Sequence, residues 1–134
     1  IDGKPGAARV IGVEERPDAV VDARNNARHN GIKAAQFVAA DAGEYIHRMA
    51  DEGAVLDVLM MDPPRAGSTP EFLKAAYELA PGRIVYISCN PQTQARDAAF
   101  LIDRGWRIVE MQPVDMFPHT SHVENIVLFR RSDE

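Results

Sequence analysis

The sequence IVYISCNP at residues 84–91 decides the fold. Its first four residues are apolar and predict a buried strand. Asn90-Pro91 then ends the strand and favours a helix start, because proline in the first helical turn loses no hydrogen bond. Cys89, the only cysteine in the chain, therefore stands at the carboxyl end of a strand. In open α/β sheets this is the edge at which ligands bind.

Cys89 has two interpretations. A thiolate is a strong nucleophile near neutral pH, so a cysteine at a ligand-binding edge is a candidate for covalent catalysis. Cysteine is also among the most buried residue types, and on its own Cys89 fits a small buried side chain better than a nucleophile. A single cysteine forms no internal disulfide, which suits a cytoplasmic location.

Length and composition predict one domain over residues 1–134. A chain of this size buries about two thirds of its unfolded surface, and its 46% hydrophobic content is ordinary. No apolar run approaches the roughly 20 residues of a membrane span, and the start lacks a signal-peptide pattern. The net charge of −5 argues against a non-specific nucleic-acid-binding surface, but not against a site for one extruded base.

Strand and helix patterns alternate along the chain. Continuous apolar runs predict a parallel sheet covered on both faces, with helices starting near Pro17, Asp41, Thr69 and Pro91. The last two strands are joined by too few residues for a helical crossover, so we expect them to pair antiparallel. Strands are predicted at 9–14, 35–40, 55–61, 84–88, 106–111 and 123–130.

Acidic residues follow the first three predicted strands: Glu14, Asp41 and Asp62. Each acid alone is explained by capping of the next helix or by solvent. Their recurrence beside Cys89 along one sheet edge is the stronger signal. Acids at such edges commonly accept hydrogen bonds from ribose hydroxyls, although a dinucleotide site would also need a glycine-rich loop that this chain lacks.

Asp62-Pro63-Pro64-Arg65 predicts a stiff turn at the same edge. Two prolines restrict the backbone and remove N–H donors, which suits a turn that pins a flat substrate. The alternative is a turn that only starts the next helix. The position of Cys89 on the following strand favours a functional turn.

The segment 113–124 is rich in prolines, histidines and acids. The spacing of His119, His122 and Glu124 suggests a metal site, but no cysteine or further histidine completes it locally. We therefore predict no metal. A carboxylate at the start of a strand is also a candidate general base.

The segments VIGVE (10–14), DPPRAG (62–67), SCNPQT (88–93) with Arg96-Asp97, and DMFPHTSHVE (115–124) carry a resemblance. In this order they resemble the S-adenosylmethionine-dependent RNA (uracil-5-)-methyltransferases. The resemblance implies a Rossmann-like, class I methyltransferase α/β sheet. That sheet would be mostly parallel, with an antiparallel C-terminal strand pair, and would lack its first strand. It also implies S-adenosyl-L-methionine as cofactor, tRNA or rRNA as partner, and a cytoplasmic location.

The resemblance also implies catalytic roles. Cys89 would attack carbon 6 of uracil, so that carbon 5 becomes nucleophilic and accepts a methyl group. Glu124 would then remove the proton from carbon 5. Asp62 would contact the uracil edge or the reacting centre, where cofactor and substrate meet.

The same resemblance implies binding roles for other residues. Glu14 would bind the cofactor ribose, and Asp41 the adenine amino group. Pro63 and Arg65 would contact the substrate. The target uracil would have to be flipped out of an RNA stack.

The chain departs from the family's pattern on its N-terminal side. The family's first strand, its glycine-rich loop, a glutamine-bearing segment and an RNA-binding barrel have no counterpart, and one cysteine cannot hold an iron–sulfur cluster. We therefore expect a catalytic domain truncated at its N-terminal side, with weak or no activity alone. The gap in the sheet would be closed by direct strand pairing, by a partner chain or by self-association.

Two other functions stay open at this point. One is an amino-methyltransferase, which would use the Asp62 turn without a cysteine nucleophile. The other is a non-catalytic RNA-binding module, although the acidic charge and the lack of a basic stripe count against it.

Overall fold

A computed structural model of the chain describes residues 7–120 and 122–132. Strands and helices alternate up to the last helix, and two strands follow it. In chain order the elements are β1 (Val10–Glu14), α1 (Pro17–His29), β2 (Ala35–Ala39), α2 (Ala42–Asp51), β3 (Val58–Met61), α3 (Pro70–Leu79), β4 (Arg83–Ser88), α4 (Pro91–Ile102), β5 (Trp106–Val114) and β6 (Glu124–Arg131).

The described structure divides into two compact units, one ending at Tyr45 and the other beginning at Ile46. In the first unit, β1 and β2 form a parallel pair in which Glu14 is opposite Ala39. Helix α1 buries Val20 and Ala27. The parallel pairing brings the carboxyl ends of β1 and β2 to the same edge.

The second unit contains a four-stranded sheet in the order β3-β4-β6-β5. Strands β3 and β4 are parallel, whereas β6 runs antiparallel to both of its neighbours. The predicted α/β class and the antiparallel pairing of the last two strands are confirmed. The insertion of β6 between β4 and β5 was not predicted, and it sets the start of β6 beside the end of β4.

The core of the second unit lies where α3 and α4 pack on this sheet. Tyr86, Phe129 and Trp106 are its largest fully buried side chains, and removing a buried aromatic ring of this kind typically costs about 3–5 kcal/mol. The buried members of this cluster are Met61, Leu73, Ile84, Tyr86, Ala98, Leu101, Trp106, Val127 and Phe129.

Two strand bounds differ from the prediction by three residues because pairing decides them, and the other bounds agree within one residue. Strand β3 begins at Val58 rather than at residue 55, since its ladder starts opposite Arg83, the first residue of β4. Strand β5 continues past the predicted end at residue 111 to Val114, because β6 provides partners that far. Pro113 is tolerated there because β5 is an edge strand of the described sheet.

None of the helices in the described residues is long and apolar enough to cross a membrane.

Candidate active site

The turn between β4 and α4 holds Cys89. Asn90 caps α4, since its side-chain oxygen accepts a hydrogen bond from the Gln92 N–H at 3.1 Å. On the other side of Cys89, the buried Ser88 hydroxyl donates to the Asn90 carbonyl at 3.1 Å and accepts from the Asn90 N–H at 3.0 Å. Both neighbours of Cys89 are therefore fixed, and Cys89 itself is half-buried.

The β4–β6 pairing brings Glu124 near the same strand end. The ladder ends at the pair Ser88 and Asn125. Cys89 is the residue after Ser88, in the bend that follows β4, and Glu124 is the residue before Asn125, at the start of β6. Ser88 and Asn125 are buried, whereas Cys89 and Glu124 are both half-buried. The thiol and the carboxylate therefore adjoin the last pair of one strand ladder.

The Asp62 turn lies on the adjoining strand and is tied to α4. Met61, the last residue of β3, pairs with Tyr86 of β4, so Asp62 follows at the same sheet edge as Cys89. The Arg65 carbonyl accepts hydrogen bonds from the Asn90 side-chain amide and the Thr93 hydroxyl, each at 3.0 Å. The structure thus brings the turn beside the residues that flank Cys89.

A buried carboxylate completes this connection. One oxygen of Asp97, which is 1% exposed, accepts from the Ser68 N–H and from the Tyr86 hydroxyl, each at 2.7 Å. The other oxygen accepts from the Arg96 guanidinium at 2.7 Å. Arg96 also donates to the carbonyls of Ala66 and Ser68. Charge-assisted bonds of this kind are the strong ones, so this network fixes the end of the turn.

Gly67 packs directly against this network, and we predict that Gly67→Ala destabilises the protein. Its φ is +80°, and an added Cβ would lie 2.6 Å from Arg96 Nη2 and 2.7 Å from Asp97 Oδ2. Left-handed backbone strain and overpacking together should lower the free energy of unfolding by about 2–4 kcal/mol. Urea unfolding of the full-length protein measures the loss.

Gly53→Ala is the matched control for that change. Gly53 has a φ of +64° but nothing within 4 Å of an added Cβ, so only the backbone strain remains. We expect Gly53→Ala to lower the free energy of unfolding by about 1 kcal/mol. Equal losses for the two variants would contradict the packing role of Gly67.

Tyr86 gives the network a pH dependence. Burial and the neighbouring Asp97 carboxylate raise the pKa of Tyr86 above its ordinary value of 10.0. Above pH 10 the unfolded state loses the Tyr86 proton, whereas the folded state keeps it. The stability contribution of Tyr86 is therefore fully present below pH 10 and decreases as the pH rises above 10. We predict that the free energy of unfolding of the wild type decreases by up to about 1.4 kcal/mol per pH unit above pH 10.

The measurement for that prediction is the free energy of unfolding between pH 7 and pH 11. Tyr86→Phe should lower stability by about 2 kcal/mol at pH 7, since Asp97 loses a hydrogen-bond donor. The variant should also lack the part of the decline that begins near pH 10. Parallel curves for the two proteins would show that Tyr86 does not titrate with unfolding.

The first unit places the other two acids side by side. The Ala40 N–H donates to the Glu14 carbonyl at 3.1 Å, so the ends of β1 and β2 are neighbours. The Glu14 carboxylate accepts from the Arg16 N–H at 2.9 Å, and the Asp41 carboxylate accepts from the Glu44 N–H at 2.8 Å. Both acids thus stabilise the following turn or helix start, and each has a second oxygen to offer to a ligand.

The remaining predicted residues occupy less constrained positions. Asp62 and Arg65 are exposed, and Pro63 is half-buried. His119 lies in a turn with a φ of +67°. Among the described residues, no group of three or more His, Cys, Asp or Glu side chains could hold a metal ion.

Sequence reasoning missed the buried polar residues that hold the edge together. Asp97 belonged to a matching motif but received no role, and Gln94 and Asn125 received none. The available signal was helical spacing: Gln94 and Asp97 lie on the face of α4 that also carries the buried Ala98 and Leu101. Polar residues on a buried helix face usually have hydrogen-bond partners.

Comparison with known proteins shows the family of this chain. A family model described as tRNA (uracil-5-)-methyltransferase matches residues 7–132, nearly the whole chain. The chain belongs to this family. The predicted resemblance is therefore confirmed, and two curated relatives of the chain are described as RNA methyltransferases.

Two of these relatives show the extent of the match. The chain is 46% identical over 125 residues to an uncharacterized RNA methyltransferase of Caldanaerobacter subterraneus, covering 93% of this chain and 28% of the relative. It is 48% identical over 130 residues to one of Porphyromonas gingivalis, covering 96% of this chain and 28% of that protein. The chain thus spans about a quarter of the length of these relatives.

Solved structures share the fold. The Pyrococcus abyssi tRNA (uracil-54, C5)-methyltransferase, solved with S-adenosyl-L-homocysteine, is 37% identical with a TM-score of 0.74, covering 90% of this chain and 28% of that one. NSun6 from Pyrococcus horikoshii has a TM-score of 0.72 at 18% identity, covering 94% of this chain and 42% of that one. The second likeness shows the methyltransferase fold alone.

Proposed function

We propose that this chain carries the catalytic residues of an S-adenosylmethionine-dependent RNA uracil-5-methyltransferase acting on tRNA or rRNA. The observation that carries the proposal is that Cys89 and Glu124 adjoin the last pair of the β4–β6 ladder. A half-buried thiol directly follows β4, and a half-buried carboxylate begins its antiparallel neighbour β6. Methylation of a uracil ring at carbon 5 needs a nucleophile and a base in such an arrangement.

Cys89 supplies the nucleophile. Carbon 5 of uracil attacks electrophiles poorly, because the ring carbonyls withdraw electron density. Addition of the Cys89 thiolate to carbon 6 breaks the double bond between carbons 5 and 6 and leaves carbon 5 as an enolate-type nucleophile. The hydrogen bonds of Ser88 and Asn90 hold the turn in which this addition takes place.

Glu124 supplies the base. After methyl transfer, carbon 5 carries both a methyl group and a proton. Glu124 takes that proton, the electron pair of the C–H bond re-forms the ring double bond, and the bond between Cys89 Sγ and carbon 6 breaks. The thiolate is thereby regenerated, and 5-methyluridine leaves.

The acids of the first unit fit the cofactor. A ribose diol and an adenine amino group are both hydrogen-bond donors, and Glu14 and Asp41 are acceptors at neighbouring strand ends. When bound, S-adenosylmethionine supplies a methyl group on a sulfonium sulfur. Glu14 would hold the ribose, and Asp41 the adenine amino group. The relative from Pyrococcus abyssi, solved with the demethylated product, supports this cofactor.

The Asp62 turn would receive the substrate. Its backbone is fixed through Arg65 and Ser68, while the Asp62 and Arg65 side chains are exposed and able to meet a ligand. Asp62 would contact the uracil edge where substrate and cofactor meet, and Pro63 would offer a flat apolar surface. Arg65 would meet an RNA phosphate. A uracil reaches this edge only after it is flipped out of the RNA base stack. The substrate RNA would be cytoplasmic.

A covalent trap tests the proposal. RNA containing 5-fluorouridine is incubated with S-adenosylmethionine and the full-length protein, and adducts are mapped by mass spectrometry. Fluorine does not leave carbon 5 as a proton does, so the nucleophile stays attached to carbon 6. We expect an adduct on Cys89 that is absent from Cys89→Ser. Methyl transfer to RNA without any adduct would instead favour an amino-methyltransferase.

Two further expectations stay predictions. One is that residues 1–134 form one catalytic domain with little activity of its own. The other is self-association through the β3 edge of the four-stranded sheet. In the described sheet β3 is an edge strand, with Val58 and Met60 exposed by 43% and 66%, which supports an edge able to pair with another strand. A monodisperse monomer in solution would exclude the self-association.

A further inference from the structure

Two buried amides connect α4 to β4 and β6. The Gln94 side-chain amide, on a residue only 3% exposed, donates to the Tyr86 carbonyl at 3.0 Å and to the Asn125 carbonyl at 3.1 Å. Asn125, also buried, donates its side-chain amide to Gln94 Oε1 at 2.7 Å. We call the Gln94 and Asn125 side chains the amide clamp. Both hydrogens of the Gln94 amide and its oxygen are used, so the clamp has one defined geometry.

The amide clamp lies directly behind the catalytic pair. Asn125 is the residue after Glu124, and its register partner Ser88 precedes Cys89. The clamp side chains are buried and bonded to each other and to backbone carbonyls, whereas Cys89 and Glu124 are half-buried. It therefore touches neither the reacting atoms nor the substrate, and any effect on chemistry must pass through the backbone.

Glu124 depends on the clamp more than Cys89 does. The turn around Cys89 has its own hydrogen bonds from Ser88 and Asn90. Glu124 is the first residue of β6 and follows a connection whose residues at 115–120 are all exposed. Among the described residues, Asn125 is the first buried one after that connection. Its anchoring, together with the pairing of Glu124 with Val114 of β5, fixes the backbone from which Glu124 projects.

We propose that Gln94 and Asn125 are positioning residues for the proton-removal step, acting through Glu124. This inference rests on the proposed function. Loosening the clamp displaces the carboxylate from the proton on carbon 5, while addition of Cys89 to carbon 6 continues. The methylated adduct then forms normally and breaks down slowly. A displacement of about 1 Å at a reacting group typically costs up to 100-fold in rate.

The test uses the full-length protein with RNA that contains ordinary uridine. Asn125→Ala should lower kcat by about 10-fold or more with KM changed by less than about 3-fold. The fraction of protein covalently bound to RNA, measured on a denaturing gel after quenching, should rise severalfold. Adduct accumulation is the informative readout, because general destabilisation lowers adduct formation and turnover together.

Val127→Ala is the matched control, since Val127 is buried on the same face of β6 but two residues further from Glu124. It should reduce the folded fraction without enriching the adduct. Asn125→Ser, which keeps a short donor, should show an intermediate rise and provides a second variant if alanine prevents folding.

Two outcomes would overturn this inference. One is an Asn125 variant that loses adduct and turnover in the same proportion as Val127→Ala. The other is an Asn125 variant that keeps the normal rate. Failure of the proposed function is distinguishable, because the wild type would then form no 5-fluorouridine adduct on Cys89 at all. With that adduct present, an unchanged balance between adduct and product overturns only the positioning role.

Discussion

Replacing Cys89 with alanine is expected to lower methyl transfer to uridine by at least about 1,000-fold. Without the thiolate, carbon 6 receives no nucleophile and carbon 5 never becomes reactive. Residual binding of RNA and cofactor should persist, since no binding role is assigned to the thiol. The measurement is transfer of a radiolabelled methyl group to RNA, with formation of 5-methyluridine checked by mass spectrometry of the digested nucleosides.

Two controls make the Cys89 result interpretable. The unfolding transition of Cys89→Ala should stay close to that of the wild type, because Cys89 is only half-buried and its neighbours hold the turn. Thr93→Ala removes a hydroxyl that holds the Asp62 turn through the Arg65 carbonyl, so it measures the loss caused by loosening the turn alone, and we expect a much smaller loss of methyl transfer than for Cys89→Ala. Retained methyl transfer in Cys89→Ala would move the assignment to an amino-methyltransferase and return Cys89 to a structural role.

Replacing Glu124 with glutamine is expected to slow turnover by about 100- to 10,000-fold, the range over which a positioned general base contributes. Glutamine matches the shape of glutamate but does not take up a proton. Cys89 still adds to carbon 6 and the methyl group is still transferred, so the enzyme stops as a methylated covalent adduct. We expect this adduct with ordinary uridine, detected as a stable protein–RNA band under denaturing conditions.

Glu110→Gln is the matched control for the Glu124 variant. Glu110 lies on the neighbouring strand β5 and is exposed. Its replacement by glutamine removes one negative charge, as Glu124→Gln does. It should leave both turnover and adduct level unchanged. If Glu124→Gln turned over at the normal rate, the base would have to be another residue, and Asp62 at the same sheet edge would be tested next.

The helix starts of this chain and the position of Cys89 were predictable because their signals are local. Pro17, Pro70 and Pro91 each begin a helix, and Thr69 caps its helix through the Phe72 N–H at 3.1 Å. The position of Cys89 after β4 followed from the apolar run before it and the Asn90-Pro91 pair after it. These features depend on neighbours within one helical turn.

Strand lengths were less predictable because a strand extends only as far as its partner. Val55 belongs to an apolar run, yet it is 93% exposed and lies outside β3. Pro113 lies beyond the predicted end of β5, yet β5 includes it because Asn125 lies opposite. In both places the pairing of distant segments overrode the local pattern.

The sequence by itself determined the order of elements, the family, and the placement of acids and the cysteine at strand ends. Only the tertiary structure decided that β6 lies between β4 and β5, which sets the start of β6, at Glu124, beside the end of β4. Only it decided that Asp97 meets Ser68, and that Gln94 meets Asn125. The physical reason is separation: these partners lie 29 and 31 residues apart, and burial away from water makes each polar group select a partner wherever the fold supplies one.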